Sequence, residues 1–171
     1  MGWIMNLVYK IVMKVCSFPE RKYNELKISK YKHIINGTDF ALGENVNIIN
    51  PQNISIGQGT YINGGDIIAS PNAHIYIGDN CLISYNVHMR TDMHNYNDRN
   101  VLINQQGNTE KDIVIEDDVW IGYGAQIMAG VTVRKGCVIA AGAVLTHSTN
   151  EYEVWGGVPA RKIKERGEMK T

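Results

Sequence analysis

The chain has 171 residues, and its 17 lysines and arginines balance its 17 aspartates and glutamates, so the net charge is zero with neutral histidines. This length fits one domain, and the balanced charge gives no overall attraction to nucleic acid. Apolar residues make up 44% of the chain, which excludes wholesale disorder. The three cysteines do not make a disulfide framework, and reduced cysteines fit a cytoplasmic protein.

The first 36 residues combine apolar residues at helical spacing with an excess of positive charge. Large apolar residues recur at helical spacing over positions 3–15, and Lys10 and Lys14 lie on the other side. We expect an amphipathic helix that ends at residues 17–19, where Pro19 follows Ser17 and Phe18, and then a basic connector to residue 36. This helix is too short and too charged to span a bilayer. It covers the first coil of the next domain, packs on a neighbouring subunit, or attaches residues 1–16 to a membrane surface.

From about residue 40 onwards, aliphatic residues recur at six-residue steps. A short repeat is typical of a solenoid, in which each coil buries its apolar positions by stacking on its neighbours. A six-residue unit rich in β-branched residues predicts one flat face of a triangular parallel β-helix. The same period places Cys81 and Cys137 inside the coil, as small apolar residues rather than nucleophiles or metal ligands. The clearest run covers 113–147 and contains Ile115, Ile121, Ile127, Val133, Ile139 and Leu145.

Apart from short bulges at 50–53 and 70–73, the repeat has one long break, between Met89 and Ile113. The intervening sequence is polar, and a long loop inside a regular domain is usually functional, so we predict an extruded loop over residues 90–112. The resulting division is an N-terminal helix and connector at 1–36, a β-helix domain at 37–165 and a tail at 166–171. Near the end, Pro159 is expected to open a short basic helix. Few charges lie on the outer faces between 119 and 143, which favours packing of three copies around a threefold axis.

Among the hexads, a histidine-bearing loop followed by QQG at 105–107, then DDVWIG at 117–122, then GGVPARKI at 156–163 occur in that order along the chain. Together these features resemble the hexapeptide-repeat acyltransferases, over about residues 40–165. The resemblance is nearest to galactoside and maltose O-acetyltransferases and to the O-acetyltransferases of bacterial surface polysaccharides. It implies an all-β, left-handed parallel β-helix, a homotrimer with active sites between subunits, and acetyl-CoA as co-substrate without a metal. It also implies a sugar or glycan acceptor at the inner face of a bacterial membrane.

Acetyl transfer to a hydroxyl needs a base for the hydroxyl proton and donors for the oxyanion of the tetrahedral intermediate. The resemblance assigns the base to His94, in the loop. Asp92 either orients the imidazole of His94 or caps a turn. His88 lies six residues before His94 and is expected to stack one rung away, as a surface histidine or as part of the acceptor site.

The resemblance also assigns the binding residues. Asn63 corresponds to an asparagine that contacts the acceptor, and Asn72 replaces an acceptor-binding aspartate, so a charge is missing there. Both residues are also typical of coil corners. Trp120 points outward, for subunit packing or as a wall of the acetyl-CoA cleft. The remaining acetyl-CoA residues are Tyr123 (its N–H as oxyanion donor), Ala141, Gly142, Thr146, and Arg161 and Lys164 for the phosphates.

Other activities remain open on the same scaffold. One is N-acetylation of an amino sugar or another amine. Another is a catalytically silent β-helix subunit that serves assembly. A zinc site like that of the trimeric β-helix carbonic anhydrases is disfavoured, because the histidine spacing does not match that family.

Overall fold

The computed structural model describes residues 2–167, so residues 168–171 of the predicted tail lie outside the described residues. One helix precedes a series of short strands that wind as a parallel β-helix. Short 3-10 turns occur at Pro51–Asn53 and Ile103–Gln105. The elements are α1 Gly2–Ile34, β1 Ala41–Ile49, β2 Ile54–Ile56, β3 Tyr61–Ile68, β4 Ile75–Ile77, β5 Leu82–Ile83, β6 Val87–Arg90, β7 Asp92–His94, β8 Asn108–Glu110, β9 Ile113–Ile115, β10 Trp120–Ile121, β11 Gln126–Ile127, β12 Thr132–Val133, β13 Val138–Ile139, β14 Val144–Leu145, β15 Glu153–Gly157 and β16 Ala160–Glu165.

Three stacks of parallel strands form the faces of the coil. Strands β2, β4, β9 and β12 make one stack. The start of β3 pairs with β5, which is followed by β10, β13 and β15, and the end of β3 pairs with β6, which is followed by β11 and β14. The predicted parallel β-helix is thereby confirmed.

The core lies inside the coil, at the positions that the six-residue period predicts. In the run 113–147, the aliphatic residues that recur at every sixth position, from Ile115 to Leu145, are each at most 1% exposed. Cys81 and Cys137 are fully buried as expected, and burial raises the pKa of both thiols. At Gly65, which has a φ of +121°, a side-chain Cβ would overlap the carbonyl of Val87 in the next coil, so close stacking requires glycine there.

The N-terminal helix is longer than predicted. It continues through Pro19 to Ile34, so the expected helix end at residues 17–19 and the connector after it are wrong. The second half packs on β1, where the phenol oxygen of Tyr31 accepts the Ile48 N–H at 3.3 Å and Lys27 Nζ donates to the Glu44 carbonyl at 3.1 Å. Tertiary contacts stabilise a helix that local sequence signals would stop. With 33 residues α1 is not too short to cross a bilayer, as the sequence suggested, but no helix among residues 2–167 is both long and apolar enough to do so.

The C-terminal segment forms a hairpin instead of the predicted basic helix. β15 pairs in parallel with β13, and β16 pairs with β15 in antiparallel orientation, so the last coil gains hydrogen-bonding partners that a helix would not supply. The buried carboxylate of Glu153 anchors this hairpin. It accepts hydrogen bonds from the Asn150 N–H at 2.8 Å and the Trp155 indole at 2.9 Å, and Lys162 Nζ lies 3.0 Å away.

Desolvation by itself raises the pKa of Glu153, but the donors around it outweigh that effect and lower the pKa to about 2. Because the folded-state pKa lies below the ordinary value, the stabilisation is complete above about pH 4.5 and is lost as the pH falls towards 2. We expect Glu153 to contribute at most about 3 kcal/mol to the free energy of unfolding at neutral pH. Glu153→Gln should lower the unfolding free energy and flatten its decline between pH 4.5 and 2, as measured by urea titration at several pH values. An unchanged pH dependence would contradict this assignment.

Candidate functional site

The break in the repeat is a hairpin that leaves the coil after β6 and returns at β9. Strands β7 and β8 form a separate two-stranded antiparallel sheet, with Asp92 opposite Glu110 and His94 opposite Asn108. In the turn beyond it, Gln106 Nε2 donates to the Asp98 and Val101 carbonyls, both at 2.8 Å. These side-chain bonds give a polar loop a defined shape.

His94 is the last residue of β7, and its side chain is exposed. The next residue fixes the backbone at this point. The Asn95 N–H donates to the Gly107 carbonyl at 3.0 Å, its side-chain amide donates to the Gln106 carbonyl at 3.0 Å, and its side-chain oxygen accepts the Thr109 hydroxyl at 2.6 Å. The imidazole is therefore presented to solvent from a firmly held strand end.

Asp92 interacts chiefly with Arg90. The guanidinium of Arg90 binds both carboxylate oxygens, at 2.7 and 3.1 Å, and this hydrogen-bonded pairing lowers the pKa of Asp92. Among the causes of that lowered pKa, the hydrogen bond from Arg90 ranks first and His94 last. Asp92 is thus an ionised partner of Arg90, and Arg90 is a residue that the sequence patterns did not single out.

Asn72 fastens the base of the hairpin to the preceding coil. Its backbone N–H and side-chain amide donate to the two carboxylate oxygens of Glu110, at 2.8 and 3.2 Å. The side chain of Ser70 and then the N–H of Asn72 lower the pKa of Glu110. Sequence analysis missed Glu110 because its partner lies 38 residues away, and only the path of the loop joins them.

His88 does not stack on His94, and that expectation is wrong. Its outward neighbours on adjacent coils are Asp66 and Gln126. His88 Nδ1 lies 3.8 Å from an oxygen of Asp66, whose other oxygen accepts from Asn47 at 3.0 Å. Six residues carry the chain to the next face of one coil, whereas stacked neighbours lie a full coil apart.

Trp120 lies on the outer side of β10, as its place in the hexad predicts, and is 53% exposed. In register with it on adjacent coils are Leu82 and Val138, and Tyr61 lies beyond Leu82. Tyr61 and Leu82 are also exposed, so these aromatic and aliphatic side chains form an outer apolar stripe. The half-buried Asn63 follows Tyr61 on β3.

Tyr123 and Gly142 occupy the same corner of successive coils. The Gly142 N–H donates to the Tyr123 carbonyl at 2.8 Å, and the Asn86 side chain donates to the Tyr123 hydroxyl at 2.6 Å. At Gly142, with a φ of +68°, open space surrounds the position where a Cβ would lie, and Ala141 beside it is exposed. This corner leaves room for a ligand chain to lie along the backbone.

The other expected acetyl-CoA residues follow towards the C-terminus. The Thr146 hydroxyl lies 2.9 Å from Nδ1 of His147, and both residues are exposed. Arg161 and Lys164 lie on β16, where Arg161 donates to the Ala160 carbonyl at 2.9 Å and Lys164 is opposite Val154. Among residues 2–167, no cluster of three or more histidine, cysteine, aspartate or glutamate side chains could hold a metal ion.

Comparison with known proteins shows what the chain is similar to. Residues 112–147 match the family of bacterial transferase hexapeptide repeats (six repeats). A maltose O-acetyltransferase from Clostridium difficile 630 superposes with a TM-score of 0.72 at 27% identity, covering 91% of this chain and 86% of that one. A hexapeptide-repeat acetyltransferase from Vibrio cholerae has a TM-score of 0.71 at 30% identity, covering 81% of this chain and 78% of that one. Another structure of that Vibrio protein is complexed with acetyl coenzyme A.

A curated relative matches a shorter segment. The 2,3,4,5-tetrahydropyridine-2,6-dicarboxylate N-acetyltransferase of Staphylococcus aureus strain JH9 is 46% identical over 57 residues, which are 33% of this chain and 24% of that protein. The chain thus spans about a quarter of the length of the curated relatives that it matches. The chain belongs to the hexapeptide-repeat acetyltransferase family, because it is 30% identical to the Vibrio cholerae protein over most of both chains and carries the matching repeat.

The Arg90–Asp92 pair is expected to hold the hairpin as a unit. Arg90→Ala and Asp92→Ala should each speed amide hydrogen exchange in β7 and β8 by about two- to fivefold, the range for a partly exposed ion pair. The double substitution should have no larger effect than either single one, because both break the same contact. A large effect of Asp92→Ala beside none for Arg90→Ala would show that Asp92 acts through another group, such as His94.

Proposed function

We propose that this protein transfers an acetyl group from acetyl-CoA to a hydroxyl of a sugar or surface-polysaccharide acceptor. The main support is the shared fold with the Vibrio cholerae acetyltransferase that binds acetyl coenzyme A. The likeness to a maltose O-acetyltransferase favours a sugar hydroxyl as the acceptor. The exposed, rigidly carried imidazole of His94 supplies the base that this reaction needs.

In this mechanism, a nitrogen of His94 takes the proton of the acceptor hydroxyl. The oxygen attacks the thioester carbonyl, and the backbone N–H of Tyr123 donates to the oxyanion of the tetrahedral intermediate. The intermediate then expels the thiolate of CoA, which receives the proton back from His94. The acceptor oxygen gains the acetyl group, CoA leaves as the thiol, and no redox step is involved.

The binding roles follow the layout of the outer surface. Acetyl-CoA would lie along the exposed corner at Ala141 and Gly142, beside Trp120 and Thr146. Its phosphates would pair with the cations of β16, Arg161 and Lys164. Acceptor contacts would come from Asn63 and His88. Asn72 would act indirectly, because its amide already holds Glu110 at the hairpin base.

We propose a homotrimer, with each active site between two copies. The outer apolar stripe of Tyr61, Leu82 and Trp120 is 38 to 53% exposed, and a neighbouring copy would bury it. His94 lies on a hairpin sheet separate from the coil sheet that carries Trp120. Packing side by side would allow the hairpin of one copy to face the acetyl-CoA wall of the next.

Sedimentation equilibrium should detect a species of three chains. Leu82→Glu together with Trp120→Glu should shift it to single chains, because two charges would enter a desolvated interface. The matched control is Ser55→Glu with Tyr76→Glu, which adds two acidic groups to the outer side of the β2–β4 stack and should leave the three-chain species unchanged. A wild-type chain that sediments as a monomer would exclude the trimer.

A second acceptor class has specific support. The 57-residue match to an N-acetyltransferase makes an amine acceptor an alternative to the hydroxyl. The same base would serve, because an attacking amine also loses a proton. A catalytically silent subunit is the third outcome that an activity assay must separate.

An assay of free thiol released from acetyl-CoA distinguishes these functions. It is run with a panel of sugars, glycans and amino sugars as acceptors. Turnover with hydroxyl-only acceptors is expected, and turnover confined to amines would indicate N-transfer. His94→Ala should lower kcat by roughly 10²–10⁴-fold through loss of general-base catalysis. His33→Ala, at an exposed position of α1, is the control and should leave the rate unchanged. Equal rates for wild type and His94→Ala would reject His94 as the base, and no turnover with any acceptor would favour the silent subunit.

A further inference from the structure

The first half of α1 carries a large apolar surface that stays exposed in the described chain. Between residues 5 and 18, the exposed fraction of each large apolar side chain lies between 46% at Leu7 and 70% at Met5. So many neighbouring exposed apolar side chains on a water-exposed helix mark an interaction surface. The side chains are Met5, Leu7, Val8, Tyr9, Ile11, Val12, Met13, Val15 and Phe18.

The second half of α1 fastens the helix to the β-helix, so the first half extends beyond it. The half-buried positions Asn24, Lys27, Ile28 and Tyr31 follow the spacing of one helix face. Residues 5–18 lie before all of these positions and cover about 20 Å of helix. The sequence allowed this segment to cover the first coil, but the exposure of its side chains excludes that role.

The charges of this segment are of one sign. Asn6, Lys10 and Lys14 are four residues apart and trace a narrow polar stripe along the helix. Glu20 is the first acidic residue of the chain. At about 100° per residue, the polar stripe takes up about 80° of the circumference, and apolar residues occupy about two-thirds of it.

We propose that residues 5–18 of α1 bind the surface of an anionic lipid bilayer. The helix lies along the interface, with its apolar side chains among the upper acyl chains and Lys10 and Lys14 at the headgroups. Apolar residues cover most of the helix, and the charges of its polar stripe are all basic. These two features match a bilayer surface, where apolar acyl chains lie beneath negatively charged headgroups. A second helix would bury only a narrow seam of such a surface.

Lipid binding by α1 is separate from acetyl transfer and does not depend on it. Where both hold, the helix places the acetyltransferase next to acceptors that are carried on lipid. That consequence rests on the proposed function, whereas lipid binding itself can be tested without any acceptor. An experiment that rejects lipid binding therefore leaves acetyl transfer untouched, and the reverse also holds.

The test is co-sedimentation of the full chain with vesicles of phosphatidylcholine alone and with 30% phosphatidylglycerol, at low and high salt. Wild type should bind the anionic vesicles, and salt should weaken binding. Lys10→Glu with Lys14→Glu should lower the partition coefficient roughly 20-fold or more. Lys30→Glu with Lys135→Glu makes the same charge change elsewhere and should have a much smaller effect.

Ile11→Asp with Val15→Asp should abolish binding, with thermal unfolding of the β-helix unchanged.

Two outcomes would overturn the proposal. One is absence of wild-type binding to anionic vesicles. The other is binding that survives Ile11→Asp with Val15→Asp, since the lipid contact would then lie elsewhere. If the wild type does not bind vesicles and these two substitutions lower the mass found by sedimentation, the helix packs on a second copy.

Discussion

Stacking of aliphatic side chains between successive coils is the interaction on which the rest of the structure depends. Ile121 and Ile139 are fully buried because the coils on either side cover them, and no single hexad could bury its own side chain. The same stacking aligns the corners, where an N–H group of one coil donates to a carbonyl of the preceding coil, as from Gly142 to Tyr123. A surface built on so regular a core is stiff, which suits a site that must hold a long ligand in one position.

A solenoid of this kind leaves two end coils that need cover, and the protein closes each end differently. At the C-terminal end, β15 and β16 continue the sheet, and the ionised Glu153 joins the strands through Trp155 and Lys162. At the N-terminal end, the second half of α1 packs on β1. Because only this half is used for packing, the first half is left as an exposed apolar and basic surface.

The extruded hairpin obtains its order in another way, since it lies outside the aliphatic stack. Side-chain hydrogen bonds replace apolar contacts: Gln106 and Asn95 bridge the turn, and the Asn72–Glu110 and Arg90–Asp92 pairs hold its base. Polar contacts of this kind can fix an exposed loop while leaving an imidazole open to solvent. They tie the hairpin that carries His94 to Asn72 and Arg90 of the coil.

The sequence by itself determined the coil, because a six-residue period admits one way of burying its aliphatic positions. It therefore also determined that Cys81 and Cys137 are buried and that Trp120 points outward. Tertiary structure decided what the period does not encode. α1 continues through Pro19 because β1 supports its second half, and the segment after Pro159 is a strand because β15 offers it a partner. The partners of His88 and Asn72 lie one coil or one loop away, so only the folded path brings them together.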